Sequence, residues 1–218
     1  MWSTPVDLYC ERLGPSFWAE PVNAISNIAF LIAAVAAFVK WRQAARDDLP
    51  ALALIGIVFV IGLGSFAFHT LATRGAMLLD VGPIGVFIYS YFLLALRRML
   101  GLPWPTSIVL LAAFAALSTG IASFVPREVL NGSTGYFPAL AALLVFGGIL
   151  RDGAEGRAML AAAAVFVVSV TLRIIDLDIC PAFPLGTHFL WHVLNAVVLY
   201  LLLRGAMVAR PRTKVLAS

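Results

Sequence analysis

Apolar residues in this chain come in long continuous runs, and the charged residues collect in the breaks between them. A helix that crosses a bilayer needs about 20 mostly apolar residues. Seven runs meet or approach that length, at about 22–39, 51–70, 77–96, 105–124, 135–150, 158–175 and 185–204. The fifth is the weakest, interrupted early by Pro138 and closing on Gly147–Gly148. The pattern predicts an all-α integral membrane protein with seven transmembrane helices. They form a single domain over 1–218, with an amino-terminal tail over 1–21 and a basic carboxyl-terminal tail over 205–218.

Composition closes off the soluble alternative: 62% of residues are hydrophobic and 12% charged, with a mean hydropathy of +0.98, too apolar for a water-exposed domain of this length. A net charge of +4 could suggest an anionic partner such as nucleic acid, but its distribution argues for topology instead. Lys40, Arg42 and Arg46 follow the first run, Arg97 and Arg98 the third, and Arg151 and Arg157 the fifth. Arg204, Arg210, Arg212 and Lys214 follow the seventh, so that eleven of the fifteen basic residues share one side. The positive-inside rule then places the amino terminus outside and the carboxyl terminus in the cytoplasm, with no nucleic-acid partner. Met1–Gly14 lacks the basic start and apolar core of a cleaved signal, so it is expected to be a short translocated tail anchored by the first run. Arginine far outnumbers lysine and alanine is abundant, which favours a bacterial inner membrane over the alternative of endoplasmic reticulum or Golgi. No segment points to an obligate protein partner.

Ionisable groups inside a bilayer are costly and usually functional, and here they fall in two places. Gly64–Ser65–Phe66–Ala67–Phe68–His69, followed by Asp80, closes the second run and opens the third; Thr187–His188–Phe189–Leu190–Trp191–His192 opens the seventh. These two stretches hold all three histidines of the protein. Residues four apart share a helix face, so His188 and His192 can chelate one ion, His69 supplies a third ligand, and the topology brings all three to the same outer depth. Three imidazoles leave a tetrahedral zinc with one open position, the catalytic arrangement, and zinc brings the pKa of a bound water toward about 7. Asp80 is the candidate general base and acid, and Ser65 the candidate donor to a developing oxyanion. The contrasting reading is a non-enzymatic heptahelical receptor or metal-binding membrane protein with a structural histidine cluster.

Asp7, Tyr9, Glu11 and Glu20 give the outer tail an acidic density that either solvates the first helix or holds a hard cation through oxygen ligands. Cys10 and Cys180 both fall on the outer, oxidising side, which leaves a disulfide or two free thiols. Asn23 and Asn27 share a face and are expected to bond a neighbouring helix. Arg173, Asp176 and Asp178 are expected to pair with one another, Trp191 to join an interfacial aromatic belt, and Asn195 to support His192 from behind. Alanines such as Ala112–Ala113, Ala141–Ala142 and Ala161–Ala164 give the fourth to sixth runs the small residues that let membrane helices approach closely.

At these residues the chain resembles the alkaline ceramidase family, part of a wider group of heptahelical membrane hydrolases that includes relatives of the adiponectin receptors. The resemblance rests on Tyr9–Cys10–Glu11, on Phe17–Trp18–Ala19–Glu20–Pro21–Val22–Asn23 with Ser26–Asn27, on Gly64–Ser65 with His69 and Asp80, and on His188 through His192. It implies a zinc-dependent intramembrane amidase that cleaves ceramide to a sphingoid base and a fatty acid. His69, His188 and His192 would be the ligands, Asp80 the acid and base, and Ser65 the oxyanion donor; hydrolysis of another lipid amide or ester is the nearer alternative. It also implies a calcium site in the acidic tail and a disulfide joining Cys10 to Cys180. The tail departs from the family pattern in a shorter segment between Glu11 and Glu20 and in Leu8–Tyr9, where an acid and a tryptophan are expected.

Overall fold

A computed structural model describes residues 2–126 and 128–209. The apolar runs fold as helices: α1 (Pro21–Ser26), α2 (Ile28–Ala44), α3 (Leu49–Leu71), α4 (Arg74–Leu94), α5 (Trp104–Phe124), α6 (Phe137–Ile149), α7 (Ala154–Ile174) and α8 (His188–Val208). Helices α1 and α2 make one 24-residue span interrupted at Asn27, and α4 continues through a π-helical turn at Ala95–Met99. Among the described residues, six spans are long and apolar enough to cross a membrane. Helix α6, with 13 residues, is about 20 Å long at 1.5 Å per residue, short of a hydrocarbon core of about 30 Å. Two 3-10 turns, Val129–Gly132 and Thr134–Tyr136, precede it. Apart from an isolated antiparallel bridge between Pro5 and Thr73, no strand occurs among the described residues. Arg210, Arg212 and Lys214 of the basic tail lie outside the described residues.

Local chemistry sets the helix ends that matter for the site. The Asp48 carboxylate accepts from the Ala51 N–H at the start of α3, and the Thr73 hydroxyl accepts from Ala76 at the start of α4. Ala72, with φ of 44°, closes α3 in the left-handed conformation usually left to glycine. This makes the abrupt reversal that brings Asp80 back alongside Ser65.

Helices α2, α3, α7 and α8 enclose the core, where Ala37, Val58, Met159, Ala162, Ala163, Leu203 and Ala206 are fully buried. The packing is closest between α7 and α8 and between α3 and α4. Small residues permit these approaches: a side chain at Gly156 would meet the Leu150 carbonyl, and one at Gly147 would meet Leu160. Ile32, Val60, Val109, Val145 and Val168 face outward, as helices bathed in hydrocarbon require.

The amino-terminal tail lies over the α3–α4 turn. Val6 N–H donates to the Ala72 carbonyl at 2.8 Å, Arg74 N–H to Thr4 at 3.0 Å, and Gly75 N–H to Trp2 at 2.9 Å. A disulfide joins Cys10 to Cys180 in the loop before α8. The tail therefore covers the end of the bundle where the histidines lie.

Candidate metal centre and active site

His69 sits near the end of α3, and His188 and His192 occupy the first two turns of α8. One candidate ligand atom from each falls within 4.8 Å of the others, and all three side chains are buried. Neutral imidazole offers one nitrogen as donor and one as acceptor, so the partners of each ring decide which faces an ion. His69 Nδ1 lies 2.6 Å from Glu20 Oε2. A carboxylate can only accept, so Nδ1 carries the proton and Nε2, buried with no partner, is left as the ligand atom. Ser26 Oγ donates to the Asn23 carbonyl at 2.8 Å and lies 2.7 Å from His192 Nδ1. Its single proton is thereby used, so His192 Nδ1–H donates to it and Nε2 is freed. His188 Nδ1 is also buried and unpartnered. Orphaned imidazole nitrogens in a dry setting are unfavourable unless something coordinates them, and three neutral nitrogens suit zinc. The residues fit the ion.

Each ring is steadied from a different part of the chain. Glu20 also accepts from the buried Arg12 guanidinium, whose Nη1 and Nη2 reach the carbonyls of Gly14 and His69 at 3.0 and 2.9 Å, and from Asn23 Nδ2 at 3.1 Å. Burial alone would raise the Glu20 carboxyl pKa; the His69, Arg12 and Asn23 contacts outweigh it and hold the group below the usual carboxylate value. Tyr9 stacks on His188 with ring centres 3.6 Å apart, and burial pushes its phenol above the usual tyrosine range. Asp176 fixes the backbone entering α8. Its Oδ1 accepts from the N–H of Thr187 and His188 at 2.7 and 2.8 Å, and its Oδ2 from Cys10 N–H at 3.0 Å. Gly186, with φ of 64°, leaves the space that Asp176 needs, since a Cβ there would lie 2.2 Å from Oδ1.

Beside the histidines, the Ser65 hydroxyl lies within hydrogen-bonding reach of the Asp80 carboxylate. Gly64 makes this possible: a Cβ at that position would sit 1.9 Å from the Leu79 carbonyl oxygen, so only glycine lets α3 and α4 touch there. Asp80, Tyr9 and Trp191 line a cavity of about 640 Å³ that opens to the surface beside the exposed Asp7. Ile84, Ile88, Phe114, Tyr136 and Trp191 form the boundary it shares with a narrower, almost wholly apolar cleft running between the helices. A chamber of mixed polar and apolar lining thus leads into an almost wholly apolar one.

Several expectations are corrected. Asp7, Tyr9, Glu11 and Glu20 do not gather into one ligand set among the described residues, so the calcium expectation finds no support here. Asp7 stands at the cavity rim, and Tyr9 packs on imidazole. The Glu11 carboxylate accepts from the N–H of Val22 and Asn23 at 2.7 and 2.8 Å, while burial raises its pKa against those bonds. The cation beside Glu20 is Arg12, and among the described residues the three histidines are the one acid, cysteine or histidine cluster able to hold a metal. Arg173, Asp176 and Asp178 do not pair: Asp176 is taken by backbone N–H groups, and Arg173 donates to the Asn131 carbonyl and Ser133 Oγ. Trp191 is buried against Tyr136 and Phe166. Asn195 donates to Ser169 Oγ and the Trp191 carbonyl, and the partner of His192 is Ser26. Arg12, Ser26 and Asp176 as supports escaped the sequence reading. All three roles depend on how the tail, α1 and the loop before α8 fold onto the other helices.

Three buried imidazoles thus converge beside a serine and an aspartate in a helical protein with apolar spans, an arrangement compatible with a metal ion. The family model described as Ceramidase matches residues 9–214, and the chain belongs to that family. No curated protein matches it. Membership implies hydrolysis of a lipid amide, and the histidine cluster is compatible with a metal ion.

Proposed function

We propose that this chain is a zinc-dependent intramembrane amidase that hydrolyses ceramide to a sphingoid base and a free fatty acid. The observation that supports it best is the meeting of His69, His188 and His192 beside Ser65 and Asp80, with Asp80 lining a chamber that adjoins an apolar cleft. In this reading α6 and the turns before it complete seven crossings, the amino terminus is outside and the basic end cytoplasmic. A bacterial inner membrane is the proposed location.

Zinc held by the three imidazoles would supply Lewis acidity toward the amide carbonyl and acidify a coordinated water. Asp80 takes the proton of the attacking water and delivers it to the amide nitrogen as the C–N bond breaks, acting first as base and then as acid. Ser65 donates a hydrogen bond to the carbonyl oxygen as charge develops on it and before that holds the Asp80 carboxylate in place. The apolar cleft takes an acyl chain, and the chamber takes the head group.

The test is fatty-acid release from a defined ceramide by the detergent-purified protein, beside His192→Ala, with zinc measured on both. Turnover with near-stoichiometric zinc in the parent, both lost in the variant, is the expected result. Zinc without turnover would redirect the search to other lipid amides and esters. A parent without zinc would overturn the reading.

A further inference from the structure

Arg173 is the one described cation that faces the cavity wall without a carboxylate in ion-pair reach. The ion pairs among the described residues join Arg12 and His69 to Glu20 and Arg98 to Asp48. Its neighbours in sequence do not compensate it: Asp176 is buried among the N–H groups of Cys10, Thr187 and His188, and Asp178 is exposed. The guanidinium is held in a rigid frame. Nη1 donates to the Asn131 carbonyl at 2.5 Å and to Ser133 Oγ at 2.6 Å, and the group also interacts with the Tyr9 hydroxyl. The rings of Tyr136, Trp191 and Tyr9 surround it at 5.5, 5.7 and 6.0 Å.

Guanidinium has five N–H donors in a fixed fork suited to carboxylate and phosphate, and the bonds it makes here leave part of that fork free. Asp80 is the acid that acts on it, across the chamber and not as an ion pair; a partly desolvated arginine without an ion pair is unfavourable inside a membrane protein, while one fixed by aromatic faces is pre-organised for an anion. Its position gives the anion a role. Arg173 lines the same chamber as Asp80, and only the Tyr9 ring separates it from His188.

Resting on the amidase reading above, we propose that Arg173 is an anion-binding residue of the chamber that receives a carboxylate or phosphate oxyanion carried by a lipid. Two sources have this chemistry: the carboxylate of the released fatty acid, and an anionic head group on the substrate itself.

The test is equilibrium binding, so it does not depend on turnover. Laurate, dodecyl phosphate and the neutral dodecanol are titrated into the parent, Arg173→Gln and Arg173→Lys, following the fluorescence of the adjacent Trp191 against a Trp191→Phe background. The parent is expected to bind an anionic amphiphile at least about tenfold more tightly than dodecanol, the scale of one hydrogen bond to a charged group. Arg173→Gln should erase that preference and leave dodecanol binding unchanged, with Arg173→Lys intermediate. A preference for laurate alone assigns the site to the product, and one for dodecyl phosphate as well assigns it to an anionic head group. Equal binding of anionic and neutral amphiphiles by the parent overturns the proposal whether or not the variants fold. So does equal weakening of both classes in Arg173→Gln, which would make the residue a structural tie. If ceramide is not cleaved but the anion preference is found, the amidase reading fails and the anion site stands.

Discussion

Arg12, Glu20 and His69 form a buried relay that can be taken apart one charge at a time. Glu20→Gln keeps the size of the side chain, but an amide cannot accept on both ends. If its oxygen faces His69 Nδ1, its NH₂ faces the Arg12 guanidinium, donor against donor. The arginine is then buried and unpaired, a loss of about 3–5 kcal/mol. Arg12→Met strands the Glu20 carboxylate in the same way and also leaves the carbonyls of Gly14 and His69 without a donor. The double variant removes both charges, so only the polar losses remain, about 2–3 kcal/mol. Its destabilisation should therefore be smaller than that of either single variant, whereas independent sites would add to within about 0.5 kcal/mol.

Zinc reports the other half of the relay. Replacing the carboxylate that orients a ligating histidine weakens metal binding about 10–100-fold, or about 1.4–2.8 kcal/mol, so Glu20→Gln should lose zinc to a competing chelator well before the parent. Arg12→Met, which leaves the 2.6 Å contact between Glu20 and His69 in place, should change zinc affinity by only a few-fold. Unfolding in mixed detergent micelles and chelator competition on the four proteins supply the data. Additive stabilities, or equal zinc loss in the two single variants, would refute the relay.

Other perturbations follow from the same geometry. Gly64→Ala should push α3 from α4 and part Ser65 from Asp80, costing about 1–3 kcal/mol as overpacking does and lowering turnover while zinc is retained; unchanged turnover would show that the close approach is not needed. Asp176→Asn leaves an amide NH₂ facing the Cys10 N–H and should cost about 2–3 kcal/mol in thermal unfolding; a neutral outcome would count against its role as the tie between tail and α8. Because Arg12 supplies the positive charge beside Glu20, millimolar calcium or EGTA should leave the melting temperature and activity unchanged, and a calcium-dependent rise in melting would contradict that reading.

What could be read in the sequence was what helical periodicity and membrane depth determine. His188 and His192 share a face because they are four apart. His69 and Asp80 reach the same depth because a short turn at Ala72–Thr73 separates α3 from α4. The weakness of the fifth run was visible in Pro138 and Gly147–Gly148, and it folds as the short α6. What stayed hidden depends on the path of the tail. Glu20 is indistinguishable from a cation ligand until Arg12 is seen to fold back eight residues and occupy it, and no local pattern says that residues 4–6 pair with the α3–α4 turn. Asn195 has the right spacing to support His192, yet the closer approach of α1 gives that place to Ser26.

The three imidazoles owe their orientation as much to the amino-terminal tail as to the helices that bear them. His69 leans on Glu20, His188 on Tyr9, and the first turn of α8 on Asp176, which also holds the Cys10 N–H. Lateral packing of helices in a bilayer has no strong hydrophobic drive and tolerates small shifts, whereas a metal site does not. The Cys10–Cys180 bond, spanning 170 residues, fixes the tail on that end of the bundle and should contribute about 2–4 kcal/mol. Its loss is expected to show first at the metal. In Cys10→Ser/Cys180→Ser, or after reduction, zinc should become exchangeable at temperatures where the helices are still folded by circular dichroism, because the tail can lift without the spans separating. Zinc retained up to the melting temperature of the helices would mean that α3 and α8 alone hold the site, and the tail would be a cover and not a clamp.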